Sequence, residues 1–278
     1  MLSLSACVES EPAPPPPPKV ISLDEAIAAP YRGVNKMRDV YRHPLQTLEF
    51  FGIADDMTVV EVWPAGGWYT EILAPYLRAR GRYVGAQYPD VPPTTEVQKR
   101  TALSWIEAVK AHPELYDRVA FTTIGTPDRW APVPPGTADM VLTFRNVHNW
   151  LATNTEREMF ATFYRSLKPG GVLGVEEHRA PDDYSRADMV RTGYVAQDLV
   201  IELAQQAGFV WVAWEEFNAN PKDTKDYPGG VWSLPPTLRY GEQDKAKYLA
   251  IGESDRMTLK FVKPDPNAPR AEPPVAPR

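Results

Sequence analysis

The chain has 278 residues, 43% of them hydrophobic and 24% charged, which suits one large globular domain with a buried core. A net charge of −6 argues against a general nucleic-acid binder. The single cysteine, Cys7, excludes an intrachain disulfide and a cysteine-based zinc site, and no apolar run of about 18 residues is available for a transmembrane helix.

Residues 1–20 read as a linker, Pro-rich from Glu11 to Lys19 and extended in character. Leu4-Ser5-Ala6-Cys7 resembles a bacterial lipobox, which implies a periplasmic lipoprotein anchored to the membrane through Cys7. Only six residues precede Cys7, where a signal core needs about 7–15 apolar residues, so a cytoplasmic chain with an unpacked tail is the alternative. Residues 21–263 form the expected domain. Ser22 and Glu25 make a capping box for a short helix that Pro30 stops. Helical spacing continues to Phe51, interrupted at His43-Pro44, so 21–52 is an N-terminal helical extension.

Strands and helices then alternate. Strands are expected at 58–62, 82–87, 118–123, 138–143, 172–177, 209–216 and 256–262. Helices are expected at 67–79, 95–111, 153–167 and 190–206. This alternation predicts an α/β, Rossmann-like, mostly parallel sheet with helices on both faces. Residues 218–252 are a polar insertion, expected to cover a substrate pocket, and 264–278 are a Pro-rich tail.

The segment Val59 to Leu73 is an apolar β-branched run ending in an acid, then a small-residue turn, then an apolar helical pattern. That strand, turn and helix open a nucleotide-cofactor fold, with Gly66 and Gly67 where backbone turns sharply or meets a ligand. With Lys168-Pro169-Gly170-Gly171 before strand five, Asp139-Met140-Val141-Leu142 in strand four and the last strand from Arg256, the chain resembles class I S-adenosylmethionine-dependent methyltransferases. Glu253-Ser254-Asp255-Arg256-Met257, Asn146-Val147-His148-Asn149-Trp150 and Glu177-His178-Arg179-Ala180 resemble a group of predicted bacterial methyltransferases. The resemblance implies seven strands with the last antiparallel, S-adenosylmethionine as cofactor and a small-molecule acceptor. It implies cofactor contacts from Glu61, Ala65, Gly66, Gly67, Gln87 and Asn146. Trp63 and Ala65 replace two glycines of the family's loop, and Gln87 stands where the family has a ribose-binding acid. A neutral amide there forgoes charge-assisted hydrogen bonds, about twice as strong as neutral ones.

Asn146 and His148 lie just past strand four, at the sheet edge where such folds bind ligands. His148 is the candidate base; Glu177 and His178, at the end of strand five, are further catalytic candidates. Alternation places Glu176 and His178 on one face and Glu177 on the other. No spaced ligand set is visible, so no metal site is expected. The alternative to an enzyme is a periplasmic, lipid-anchored binding protein that kept the fold and lost the cofactor.

Overall fold

The computed structural model describes residues 17–125 and 128–267. The expected Cys7 anchor and most of both Pro-rich ends lie outside the described residues. Ser22 caps α1 (Leu23–Ala28) as its residue types require. Its hydroxyl accepts from the Glu25 amide at 3.1 Å, and the Glu25 carboxylate accepts from the Ser22 amide at 2.7 Å. A 3₁₀ segment at Pro30–Arg38, α2 (Asp39–Arg42) and α3 (Pro44–Phe51) follow. His43, with φ of 39°, turns the chain between α2 and α3 at the expected break.

The first half of the sheet domain comprises β1 (Thr58–Val62), α4 (Thr70–Leu77), β2 (Arg82–Gln87), α5 (Glu96–Ala111), α6 (Pro113–Tyr116), β3 (Ala120–Thr123) and β4 (Ala138–Phe144). The second comprises α7 (Val147–Thr153), α8 (Glu156–Ser166), β5 (Leu167–His178), α9 (Arg186–Thr192), α10 (Gln197–Gln206), β6 (Val210–Glu215), α11 (Lys245–Ile251) and β7 (Arg256–Val262). The strands form one seven-stranded sheet in the order β3-β2-β1-β4-β5-β7-β6. Pairs from β3 to β5 are parallel, and β7 runs antiparallel to both β5 and β6, as expected. Chain order reverses between β1 and β4, which opens a crevice beyond their carboxyl ends.

Period-two alternation divides the core. Val60 and Val62 pack with Trp150, Phe160 and Phe163 on one face of the sheet. Val59 packs with Phe51, Ile72, Leu73 and Trp105 on the other. Each fully buried side chain of this kind stabilises by about 1.5–3 kcal/mol.

One expected helix is preceded by a helix that was not expected, and another is divided in two. The 153–167 helix is preceded by α7, and Asn154 at φ 53° closes α7 before α8 begins. The 190–206 helix is broken by Gly193 at φ 78°, where an added Cβ would lie 2.7 Å from Val231. The insertion is not structureless: it carries a 3₁₀ turn at Gly230–Ser233 and α11.

Candidate functional site

The loop after β1 keeps a special backbone with unusual side chains. Trp63, Ala65 and Gly67 have φ of 47°, 51° and 82°, the left-handed region that favours glycine. These are the three positions at which the resembled family places glycines. The Trp63 amide donates to the Ala86 carbonyl at 2.8 Å, so the loop is pinned to β2. Its indole turns away from the loop, stacks on Tyr88 at 4.4 Å between ring centroids and donates to the Ile124 carbonyl at 3.0 Å.

Gly66 and Gly67 line a depression with Thr70, Glu71 and Trp105, apart from the main crevice. A Cβ on Gly67 would lie 2.7 Å from the Trp105 ring, so this glycine makes room for a core indole. Gln87 is buried; its Nε2 donates to the Ala65 carbonyl at 3.2 Å, and its Oε1 has no partner among the described residues.

The main crevice is a cavity of about 260 Å³. It lies at the low edge of the roughly 300–1,000 Å³ typical of ligand pockets. Glu61, Trp63, Ala65, Asn146, His148 and His178 line it, joined by Arg38 and Arg42 from the N-terminal extension. Trp232, Pro235 and Pro236 of the insertion also line it. Asn146 donates through Nδ2 to the Val62 carbonyl at 2.9 Å, which ties the end of β4 to β1 and leaves its carbonyl as a possible ligand acceptor.

The structure brings His148, Glu177 and His178 together. The fully buried Glu177 carboxylate accepts from the Val147 amide at 2.5 Å, the His148 amide at 3.4 Å and the His178 amide at 2.8 Å. It therefore caps α7 from a neighbouring strand. Its Oε1 also accepts from His148 Nδ1 at 3.1 Å. A carboxylate that only accepts fixes the imidazole proton on Nδ1 and leaves Nε2 as the basic nitrogen. His178 Nδ1 bonds the Ser254 hydroxyl at 2.6 Å, and its ring stands 5.5 Å from that of His148. Burial, then the charges of His148 and nearby arginines, push the His178 pKa well below the usual histidine range.

Ligand atoms of His148, Glu177 and His178 lie within 4.8 Å of one another, a spacing that would admit a cation and that sequence spacing did not reveal. The same geometry, with Glu177 oriented on His148 Nδ1, also suits an oriented imidazole base.

Glu176 points away from Glu177, as alternation requires, whereas His178, expected on the face of Glu176, joins Glu177 and His148 at the end of the strand. Glu176 accepts from Arg145 at 2.9 Å, Arg256 at 3.1 Å and the Tyr69 hydroxyl at 3.2 Å. Glu253 accepts from Arg38 at 2.6 Å, Arg42 at 3.2 Å and Arg256. Burial would raise the Glu253 pKa, but Arg256, Arg42 and Arg38 together hold it down to about 2. Burial pushes the Glu61 pKa up to about 7, although Tyr83, Thr70 and Arg145 oppose the shift.

Sequence reasoning missed Arg38, Arg42, Glu253 and Arg256 as site residues. Two signals could have found them: the i, i+4 arginine pair, and the Glu253-to-Met257 segment that carried the family resemblance.

No protein-family model matches the chain, and no curated protein sequence does. Its fold is similar to solved structures. A SAM-dependent methyltransferase from Aquifex aeolicus is 13% identical with a TM-score of 0.53, over 87% of this chain and 99% of that one. The cyclase SpnF is 17% identical with a TM-score of 0.55, over 80% of this chain and 81% of that one. Phosphoethanolamine N-methyltransferase 2 of Haemonchus contortus, in complex with S-adenosyl-L-methionine, is 16% identical with a TM-score of 0.52, over 88% and 61%. The chain thus has the Rossmann-like fold of the class I S-adenosylmethionine-dependent methyltransferases. A cyclase among the neighbours shows that this fold alone does not fix the reaction.

The residues fit S-adenosylmethionine unequally along its length. The left-handed loop and the Asn146 carbonyl suit the methionyl end. Gln87 lines not the main crevice but a neighbouring hollow with Asp90, Lys99 and Phe121; its buried Oε1, without a partner among the described residues, is the acceptor left for a ribose hydroxyl. The Trp63 indole occupies the groove over Tyr88, so an adenosyl group can lie there only when the indole leaves that stack.

Proposed function

We propose that the protein is an S-adenosylmethionine-dependent methyltransferase acting on a small molecule. The observation that carries this reading is the Glu177–His148 pair, with His148 lining the crevice beyond β1 and β4, beside a loop whose backbone is left-handed at the family's three glycine positions. Bound S-adenosylmethionine supplies an electrophilic methyl group. Asn146, Gln87 and the loop carbonyls would hold it. His148 Nε2 takes the proton from the acceptor's nucleophilic atom, and Glu177 keeps the imidazole in the accepting tautomer and stabilises the cation that forms. Trp232, 5.9 Å from the His148 ring, closes the site and limits water around the base. Alignment of acceptor and methyl does much of the remaining work.

The test is calorimetric titration of the full chain with S-adenosylmethionine. Saturable one-to-one binding is expected. Absence of binding by folded protein would favour the second reading, a binding protein that kept the fold, for which Trp63 over Tyr88 is the specific observation. Anchoring through Cys7 and a periplasmic location belong to the same proposal and are tested by membrane fractionation of the parent and Cys7→Ser.

A further inference from the structure

Four arginines line the crevice: Arg38, Arg42, Arg145 and Arg256. They converge from the N-terminal extension, the end of β4 and the start of β7. Two carboxylates, Glu253 and Glu176, neutralise them directly. Four guanidinium groups face these two carboxylates. Glu177, whose oxygens are taken by three backbone amides and His148, adds a third negative charge beside them, and Glu61, its pKa raised by burial to about 7, adds part of a fourth, so the positive excess is small.

The excess is poorly hydrogen-bonded. Arg42 is 3% exposed, and its Nη1 has no hydrogen-bond partner among the described residues; its guanidinium lies over the Trp68 ring at 4.6 Å. Arg256, 1% exposed, leaves Nε without a partner. Burying a guanidinium with donors left unmade is costly even when part of its charge is paired, and a ligand anion could take up those donors. Burial and then repulsion from Arg145 press the Arg42 pKa well below the arginine range, against the attraction of Glu253.

Arg145 is the group best placed to reach a ligand. It is partly exposed to the cavity, with 18% of its side chain accessible, and only Nη1 makes a hydrogen bond, to Glu176. Its backbone stands at φ 60°, a conformation that costs a non-glycine residue energy and clusters at functional sites. The lining also carries aromatic rings, among them Trp68, Tyr69, Phe144 and Trp232, interspersed with polar and small residues.

We propose that the acceptor is a small aromatic acid whose carboxylate is held by Arg145, within the field of Arg38, Arg42 and Arg256, with its ring against the aromatic lining. This rests on the methyltransferase reading for the word acceptor, but the anion site stands on its own geometry. A planar guanidinium with free donors meets a carboxylate in paired hydrogen bonds, and Arg145 keeps such donors beyond the one it gives Glu176.

The same anionic chemistry could come from the carboxylate of S-adenosylmethionine itself, and the experiment separates the two. Full-length protein is titrated with benzoate and with benzamide, its neutral counterpart, by ligand-observed NMR. Benzoate is expected to bind at least about tenfold more tightly, as a charge-assisted pair requires. Arg145→Met is expected to lower benzoate affinity about tenfold or more while leaving benzamide unchanged, and Arg145→Lys to recover part of it. Equal binding of the two probes, or no benzoate binding, overturns the proposal on the parent protein alone, whether or not the variants fold. Competition between benzoate and S-adenosylmethionine assigns the anion site to the cofactor and overturns it as an acceptor site. Benzoate binding in a protein that ignores S-adenosylmethionine upholds the anion site and removes the methyltransferase reading instead.

Discussion

Replacing Glu61 by Gln tests the electrostatics of the crevice without knowledge of the substrate. Glu61 sits in β1, 3% exposed, accepting from the Tyr83 hydroxyl at 2.6 Å and the Thr70 hydroxyl at 3.2 Å. Burial lifts its pKa from the ordinary 4.5 to about 7. At about 1.4 kcal/mol per tenfold, that difference is worth about 3 kcal/mol of linked stability. The direction follows from proton binding. Below pH 4.5 the group is protonated in folded and unfolded chains alike, and its folded-state advantage is fully present. As pH climbs towards 7 the unfolded chain releases the proton while the folded chain keeps it, so stability falls through that window and levels off above it. Glu61→Gln cannot titrate. Urea unfolding of parent and variant at several pH values between 5 and 8 should therefore show their stability difference shifting by about 2–3 kcal/mol in favour of the variant as pH rises. Glu253, depressed to about 2, is common to both proteins and cancels. A stability difference that stays flat across this range would refute the buried-carboxyl argument.

Three further outcomes are expected. Glu177→Gln should cost about 1–3 kcal/mol in chemical denaturation, because it disturbs a carboxylate that satisfies three buried amides, and should remove the protected His148 Nδ1 proton from NMR spectra; retention of both would deny the pair its orienting role. Trp63→Gly should raise affinity for S-adenosylmethionine about tenfold by calorimetry, since glycine accepts the left-handed backbone and frees the groove over Tyr88; weaker binding would mean that the indole stacks on the cofactor instead. Gly67→Val should lose about 2–5 kcal/mol of stability through left-handed strain and overpacking against Trp105, and a melting temperature equal to the parent's would contradict the packing role.

The sheet was legible because its signals are local. Each strand is a short apolar run, each crossover a helical pattern, and boxes such as Ser22 with Glu25 mark helix starts by chemistry between near neighbours. Asn154 and Gly193 were harder to read, since a single left-handed residue inside a continuous apolar pattern leaves the periodicity almost unchanged. Asn146, His148 and Glu177 could be placed at the sheet edge by position, but the cap that Glu177 makes on α7 depends on a contact across 30 residues. The arginine cluster was only hinted at, by the Arg38–Arg42 spacing and the Glu253-to-Met257 segment, because its contacts are long-range. Arg38 and Arg42 meet Glu253 across 215 and 211 residues, and each alone reads as a solvated surface charge. The loop at 63–67 read as degraded because two glycines are missing; the backbone form they would favour is nevertheless present.

The Glu253 clasp also sets a timetable for biogenesis. Arg42 leaves the ribosome 211 residues before the carboxylate that neutralises it. At about 5–20 residues per second, the nascent chain spends roughly 10–40 s with those guanidinium groups unmatched. For that interval the strands up to β5 can pair, while β6, whose sheet partner is β7, has no strand to join. Ligand capture is thereby deferred until translation has nearly ended, and truncation ahead of Glu253 should yield a sheet that cannot close its own pocket.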